Sequence, residues 1–426
     1  MLKALDCLLK YVDQLNTIMI RCGRFTLLIL CVLLSAHVFG ALGPDTATNK
    51  LPVNRKDSTR QIDIMDVLHS LFRSGFSSAA KSDVVGLKPV FSVVPAFGYE
   101  LQSRMAVLLS GNVAFRTAPQ SRVSVINFST CYTQNAQFTL PLLWDIWNKN
   151  NDYNFVGELK FYSYPQSTYG LGSNSYIGNQ DPMNYNYIRF SETVLRHVAG
   201  SFYAGAGYMM DNHWGISHQE INSAIADFGN YGTGTHTVSS GLTVTGIYDT
   251  RDCSINPTSG FYAMSQFREN LVTLGSTSNW NSIIVDVRKY FRFPANSHNV
   301  LAFWSYNSLT LSGNPPYLDL PATLWDSNTN TGRGYIQGRF RGAQMVYGES
   351  EYRFRLTADD LLGGVLFVNG QSFSAAPGTR FQTIQPGFGP GLRVKLNKVS
   401  RTNICVDYGF GKEGSKGLFV NVGELF

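Results

Sequence analysis

Residues 417–426 read GLFVNVGELF, and apolar and polar side chains alternate along them. Successive side chains of a β-strand point to opposite faces, so Leu418, Val420 and Val422 would share one face with Phe426. An apolar face of this kind must be covered, either by a protein core or by lipid. The stretch therefore predicts a strand that is buried on one side.

The same alternation recurs from residue 88 onward, in segments separated by clusters of Gly, Asn, Ser, Pro and Asp. In one of them Ile283 and Val285 would face one side, and Asp286 and Arg288 the other. An even number of strands lets an antiparallel sheet close without an exposed edge, which lipid requires. About 16 such segments are present, centred near residues 94, 110, 127, 141, 157, 190, 206, 242, 264, 285, 303, 351, 366, 393, 405 and 421.

The composition favours lipid as the cover of these apolar faces. Hydrophobic residues make up 44% of the chain and aromatic residues 13%, whereas charged residues are only 15%. A soluble β-sandwich also alternates, but it rarely needs strands of more than about ten residues, a length that suits a tilted strand crossing the hydrocarbon layer. The sequence therefore predicts an all-β fold, a 16-stranded antiparallel transmembrane β-barrel over residues 88–426.

Residues 1–40 are predicted to be a signal peptide. Residues 25–36 form an apolar run that two arginines precede. Val38 and Gly40 are small enough for the −3 and −1 positions of a signal-peptidase cleavage site after Gly40. The run is too short for the roughly 20 apolar residues of a membrane-spanning helix. Met19 is a second candidate for the true start. Export and a barrel together predict the outer membrane of a Gram-negative bacterium.

Residues 41–87 are predicted to be a linker. Within it, residues 61–72 carry an apolar stripe that includes Ile64, Val67 and Leu71, which is typical of a short amphipathic helix. Such a helix would rest at the membrane interface, block the barrel, or simply be tethered nearby. The sequence alone leaves these three alternatives open.

Three later stretches are more specific than the alternation. Residues 248–252 (YDTRD) are followed by residues 256–262 (NPTSGFY), residues 332–335 read GRGY, and residues 351–353 read EYR. Together they resemble the bacterial surface antigen superfamily, which includes the BamA and TamA assembly factors and the transporters of two-partner secretion. The resemblance is best over residues 240–426 and implies a 16-stranded outer-membrane barrel.

The members named above carry periplasmic POTRA modules, which dock substrates. Residues 41–87 are too few for one such module. We therefore expect a barrel without POTRA modules, and the barrel alone does not establish an assembly or secretion role.

In this superfamily an Arg-Gly-Tyr/Phe motif lies at the tip of the loop between strands 11 and 12. There the loop folds back into the lumen and the arginine pairs with acidic groups on the barrel wall. The resemblance implies this clamp for Arg333, Gly334 and Tyr335, with Glu351 as the first acidic partner. A guanidinium in a confined lumen needs a carboxylate to offset its desolvation. The alternative is an exposed loop arginine.

The second acidic position of the clamp is altered in this chain. The superfamily usually has an aspartate there, and the aligned residue is Asn369, which accepts a hydrogen bond but carries no charge. Glu349 also points inward by the alternation. It is the candidate replacement for the missing carboxylate.

The stretch after residue 248 is expected to form a periplasmic turn. Asp249, Arg251 and Asp252 would tie this turn together, with Pro257 and Gly260 shaping it. A catalytic role is not expected for them.

A terminal aromatic residue on an alternating strand resembles the address that the barrel-assembly machinery reads. Phe426 is therefore a predicted assembly signal, and that machinery is an expected partner during biogenesis, beside outer-membrane lipid. Glu424 interrupts the apolar face of this strand near the periplasmic rim, where a charge costs little.

No pattern in the sequence recommends a catalytic or metal site. Gly-x-Ser-x-Gly and His-Glu-x-x-His motifs are absent, and the cysteines beyond the signal peptide, Cys131, Cys253 and Cys405, are isolated. Residues 211–218 (DNHWGISH) are the richest polar cluster, and we expect them in a surface loop without a metal.

We therefore expect a protein without cofactors that is not an enzyme. It would form a pore, or help to move or insert a polypeptide or a lipid. The Lys and Arg residues are not clustered, so no nucleic-acid partner is expected. A hydrolase carried on the barrel and a structural or adhesive surface protein remain alternatives, and the sequence does not identify a cargo.

Overall fold

The computed structural model describes residues 61–64, 66–67, 85–100, 104–218, 234–327 and 330–426. Residues 57–426 form one compact unit, which contains every described residue. The predicted signal peptide, residues 1–40, and most of the predicted linker, residues 41–87, lie outside the described residues. The expectation that no POTRA module precedes the barrel stays a prediction.

Sixteen barrel strands follow one another along the chain, and a three-residue strand, Gln166–Thr168, continues the fifth along the sixth. They are β1 (Val90–Glu100), β2 (Arg104–Arg116), β3 (Val123–Thr133), β4 (Phe138–Trp147), β5 (Tyr153–Ser163), β6 (Asp181–Ala199), β7 (Phe202–His218), β8 (His236–Asp249), β9 (Gly260–Asn270), β10 (Trp280–Arg292), β11 (Val300–Gly313), β12 (Gln344–Arg355), β13 (Leu362–Ser374), β14 (Gln385–Asn397), β15 (Thr402–Phe410) and β16 (Lys416–Val422). The described parts of the connectors contain three short 3-10 helices, Ile177–Asn179, Val272–Leu274 and Tyr317–Asp319.

Each strand pairs antiparallel with the next one along the chain, from β1 to β16. Every predicted segment centre falls inside one of these strands. The prediction of an all-β fold with 16 antiparallel strands is therefore confirmed. β1 and β16 lie side by side, but no backbone ladder joins them in the described part of the chain. We call this line the seam, and it leaves the barrel nearly closed.

The two faces of the sheet differ as the alternation requires. On β13, Leu366 and Val368 point outward and are each 55% exposed, whereas Phe367 and Asn369 point inward and are each 4% exposed. An apolar outer wall of this kind suits lipid, and the packed interior is the lumen. The core of this protein therefore lies inside the barrel.

The two ends of the barrel also differ. At one end, here the turn end, the connectors are short, as at residues 200–201 and 398–401. At the other, the loop end, they include residues 164–180 and 314–343. Short turns at one end and long loops at the other are expected of outer-membrane barrels.

The prediction of a surface loop at residues 211–218 is wrong. These residues form the last part of β7, which has 17 residues. The pairing of β6 with β7 shifts by one residue between Asn184 and Asn186, opposite Gly215, which has a φ of 63°. This is a β-bulge, in which a glycine in the left-handed region absorbs one extra residue and lets the strand continue.

Of the predicted helix at residues 61–72, the structure describes only the first part. Ile64, Asp66 and Val67 are helical, and the amide of Val67 donates to the carbonyl of Asp63 over 3.2 Å. The remainder of this helix lies outside the described residues. Among the described residues, no helix has the length and apolarity needed to cross a membrane.

Candidate functional site in the lumen

The connector between β11 and β12, residues 314–343, is here called the lumen loop. Its described side chains are mostly buried, and Leu320 and Arg333 are 0% exposed. The 3-10 helix Tyr317–Asp319 lies near its start and the stretch GRGY, residues 332–335, lies near its middle. The loop therefore occupies the interior of the barrel.

Arg333 meets three carboxylates of the barrel wall. Its Nη2 donates to Glu349 and Glu351 on β12, and its Nη1 donates to Asp407 on β15. The guanidinium carbon lies 3.8 Å from the centre of the Phe367 ring. The four charged side chains are at most 1% exposed. Because a buried charge is costly unless it is paired and hydrogen-bonded, this clamp defines one position for the loop tip.

Asn369 takes part in the clamp without a charge. Its Nδ2 donates to the carbonyl oxygen of Arg333 over 3.0 Å, so it holds the loop backbone and not the guanidinium. Sequence reasoning singled out Glu349 and Glu351 but missed Asp407. The alternation of β15 points Asp407 inward, but nothing local to that strand shows that it reaches the loop tip.

Each of the three carboxylates also has a partner on the wall itself. None of these contacts involves the loop, and the two arginines among the partners partly neutralise the site that Arg333 occupies. A loop held in this way can leave without exposing three unpaired charges. The wall pairs are Glu351 with Arg353, Asp407 with Arg393 and Glu349 with Tyr347.

The tip of the loop fits closely against β14 and β15. Gly334 has a φ of 106°, and a Cβ at this position would lie 2.6 Å from the carbonyl oxygen of Phe410. The hydroxyl of Tyr335 donates to the carbonyl of Pro386 over 2.6 Å and accepts from the amide of Lys412 over 3.0 Å. The positive φ of residue 334 and its close approach to the backbone of Phe410 both require glycine there.

We expect Gly334→Ala to undock the loop tip without unfolding the barrel. The added Cβ meets backbone, which cannot move aside, and the left-handed conformation is strained for alanine. Trypsin should then cleave after Arg333, which is buried in the docked loop. Gly378→Ala is the matched control, because Gly378 has a φ of 72° with nothing within 4 Å of the added Cβ. Equal cleavage in the two variants would contradict this account.

The start of the lumen loop is held by a second set of contacts. The hydroxyl of Ser239 on β8 donates to Asp319 over 2.5 Å. Arg341, near the end of the loop, donates through Nη1 to the carbonyls of Tyr317 and Leu320 over 3.2 Å and 3.3 Å. The loop is therefore anchored at β8 as well as at β12 and β15, and it bridges separate parts of the wall.

Asp211, which the sequence placed in a loop, is the centre of an ion cluster facing the lumen. It accepts from Nε of Arg189 over 2.5 Å, from Nη1 of Arg268 over 2.5 Å and from the hydroxyl of Tyr187 over 2.6 Å. The neighbouring His213 is 0% exposed. Within the described ranges, no group of three or more His, Cys, Asp or Glu side chains is placed to hold a metal ion.

The last residues of the sequence turn into the lumen. Gly423 has a φ of 96°, and beyond it Phe426 is only 3% exposed. Its ring stacks on Trp304 with centroids 5.1 Å apart, and Nη2 of Arg353 donates to its carbonyl oxygen over 3.0 Å. The expectation that Phe426 shares the outer apolar face with Leu418 is therefore wrong. The strand ends at Val422, and beyond the left-handed Gly423 the last residues enter the lumen instead of continuing the alternation.

Glu424 is also placed differently from the expectation. The sequence put it on the outer face near the rim, but its side chain is 2% exposed inside the barrel. It accepts from Nε of Arg393 over 2.9 Å and from Nδ2 of Asn403 over 2.7 Å. Arg393 also donates to Asp407, so Glu424 is linked to the clamp through this arginine.

The residues predicted to tie the turn after β8 lie together at the turn end. Asp249 accepts from Nε and Nη2 of Arg251 over 3.0 Å and 2.9 Å, which makes a bidentate salt bridge. Gly260 has a φ of 110°, and a Cβ there would lie 2.3 Å from the carbonyl of Thr250. Pro257, which lies between Arg251 and Gly260 in the sequence, is also buried. The turn is a packed structural element.

Asp252 organises the far side of the same turn. It accepts from the amides of Thr258 and Ser259 over 2.8 Å and 3.1 Å and pairs with Arg401 over 2.9 Å. Partial burial raises the pKa of Asp252, but these hydrogen bonds outweigh it and hold the pKa below its ordinary value. A carboxylate that stays ionised in this way links the β8–β9 turn to the β14–β15 turn.

Comparison of the sequence with protein-family models gave no match, and comparison with curated proteins gave none either. Comparison with solved structures gave matches that show the fold. The chain is similar to BamA from Haemophilus ducreyi lacking POTRA domains 1–3, with 12% identity and a TM-score of 0.50, over 79% of this chain and 69% of that one.

Two CdiB structures are similar as well, each over 79% of this chain. CdiB from Acinetobacter baumannii has 12% identity, a TM-score of 0.50 and 59% coverage of its own chain. CdiB from Escherichia coli has 7% identity, a TM-score of 0.52 and 62% coverage. The chain thus spans about three fifths of the CdiB chains. The resemblance to surface antigen barrels is confirmed as a resemblance of fold, and this fold matches outer-membrane proteins of Gram-negative bacteria.

Proposed function

We propose that this chain, which shares the barrel fold of BamA and CdiB, is a non-enzymatic outer-membrane factor that moves or inserts polypeptides, and that its lumen loop closes the pathway at rest. The turn end would face the periplasm and the loop end the cell exterior. Outer-membrane lipid would surround the wall. The barrel-assembly machinery would be a partner during biogenesis.

The observation that carries this proposal is the clamp of Arg333. The loop also packs apolar side chains, among them Leu318, Leu320 and Phe340, and such packing alone would hold a purely structural plug without exact pairing of charges. Here the tip is held by ionic contacts to Glu349, Glu351 and Asp407. Each of these carboxylates keeps a wall partner when the loop leaves, so the closure is reversible in water.

The seam supports a polypeptide as the cargo. β1 and β16 lie side by side, and in the described part of the chain no backbone ladder joins them. Unpaired strand edges bind extended polypeptide by adding a strand. A barrel with only a structural or adhesive role at the surface would not need such an edge.

The proposal predicts a closed wild-type barrel and an open variant. In planar bilayers the purified full-length wild type should show low conductance, and Arg333→Ala should show long-lived open events, because the variant lacks the ionic closure. In liposomes the wild type should raise the protease-protected yield of an unfolded outer-membrane barrel added from outside. Conductance that is identical in both proteins, together with no gain over empty liposomes, would reject the proposed function.

A further inference from the structure

The described start of the N-terminal helix touches the turn end of the barrel. Nε2 of Gln61 donates to the carboxylate of Asp360 over 2.6 Å. The amide of Ile62 donates to the carbonyl of Asp359 over 3.0 Å. Both acceptors lie in the turn between β12 and β13. The segment therefore contacts this turn through backbone as well as side chain.

A second contact joins the same segment to the turn between β14 and β15. One carboxylate oxygen of Asp63 accepts from the amide of Asp66 over 2.9 Å, and the other accepts from the amide of Lys398 over 3.1 Å. Nζ of Lys398 reaches the carboxylate of Asp66 over 2.5 Å. Asp63 thus caps the helix start and binds the barrel turn with one side chain.

The burial of Asp63 distinguishes this contact from a loose surface encounter. Asp63 is only 4% exposed, whereas the nearby Gln61 is exposed. A carboxylate is buried to this extent only where donors replace its hydration, and two backbone amides do so here. The helix start and the turn therefore form one built site.

The two contacted turns connect strands that hold the loop clamp. β12, which ends at the first turn, carries Glu349 and Glu351. β14, which ends at the second, carries Arg393, which donates to Asp407 over 2.5 Å. The three carboxylates around Arg333 are thus on, or bonded to, the strands whose ends the segment joins.

We propose that residues 61–67 act as a latch at the barrel rim, through which the chain preceding the barrel controls the stability of the docked lumen loop. With the latch closed, both turns are tied to one helix start and the wall around Arg333 keeps its spacing. With the latch open, the two turns move independently and the tip of the loop is held less firmly. This inference rests on the proposed role of the lumen loop as the closure.

Hydrogen exchange of the full chain in detergent tests the latch. Asp63→Ala removes the cap and the bond to Lys398, so exchange at residues 61–67 should rise about tenfold, the loss typical of a deleted N-cap. Exchange at residues 330–336 should rise in the same variant by about threefold or more if the two are coupled. Asp152→Ala, which alters an exposed carboxylate in the β4–β5 turn, is the matched control and should change neither segment.

Two outcomes would overturn the latch. Unchanged exchange at residues 61–67 would show that the contact does not form, and a rise there with no change at residues 330–336 would show that it controls nothing in the loop. Exchanging the charges, with Asp66→Lys and Lys398→Asp together, should restore much of the protection that either change alone removes. A latch that passes these tests in a barrel with no conductance or insertion activity would reject the proposed function only.

Discussion

Arg333→Ala is expected to release the tip of the lumen loop while leaving the barrel folded. The guanidinium contacts Glu349, Glu351 and Asp407, all of them buried. Breaking a buried ion pair typically costs about 3–5 kcal/mol. The loop can avoid much of this cost by leaving, because each carboxylate has a wall partner. The expected result is a rise of a hundredfold or more, on the order of 3 kcal/mol, in hydrogen exchange at residues 330–336.

The barrel itself should keep its heat-modifiable gel mobility in this variant, since no strand pairing involves Arg333. Arg339→Ala is the matched control in the same loop. Arg339 is also buried, but its partners, Glu413 over 2.9 Å and the hydroxyl and carbonyl of Ser175 over 3.0 Å and 2.9 Å, lie outside the clamp. Exchange at residues 330–336 should therefore change far less in this control. A loop tip that stays protected in Arg333→Ala would mean that packing, and not the ionic clamp, holds it.

The conservative variant Arg333→Lys separates charge from geometry. An ammonium group has one centre of charge and cannot reach carboxylates on β12 and β15 in the way that a planar guanidinium does. Its exchange should therefore resemble that of Arg333→Ala more than that of the wild type. Protection equal to the wild type would show that charge alone is sufficient.

The alternation of the sequence was enough to locate the strands, because side-chain facing follows a period of two and lipid covers one whole face. It also points Glu349, Glu351 and Asp407 inward. What it could not show is that β15 meets the tip of a loop that enters between β11 and β12. That meeting depends on closure of the whole sheet, and no local pattern records it.

The errors in the sequence reasoning have a common physical origin. At Gly215 and at Gly423 the backbone enters the left-handed region, with φ of 63° and 96°. At Gly215 this shifts the register of the strand by one residue, and at Gly423 it follows the end of the strand and lets the chain enter the lumen. The polar cluster at residues 211–218 was assigned to a loop, and the unbroken alternation placed Phe426 on the outer face. A glycine within an alternating segment is the one signal that would have warned of either.

Phe426→Ala is expected to have two separable effects. If the terminal aromatic residue is the assembly signal, the variant accumulates less folded barrel in the outer membrane of cells. Independently, its ring lies against Trp304 and Tyr290, with centroids 5.1 Å and 6.2 Å away. Its loss from this buried cluster should therefore destabilise protein refolded in detergent, by about 3 kcal/mol. Urea unfolding of the refolded protein measures the second effect without the assembly machinery.

Trp304→Ala distinguishes the two effects, since it removes the stacking partner but leaves the terminal side chain intact. It should lower stability in detergent and leave recognition by the assembly machinery unchanged. If refolded Phe426→Ala is as stable as the wild type, Phe426 serves only as an assembly signal and does not stabilise the folded barrel. Nδ2 of Asn330 in the lumen loop donates to the carbonyl of Leu425 over 2.7 Å. A destabilised tail should therefore also loosen the loop, so the residues that close the last strand would help to hold the lumen shut.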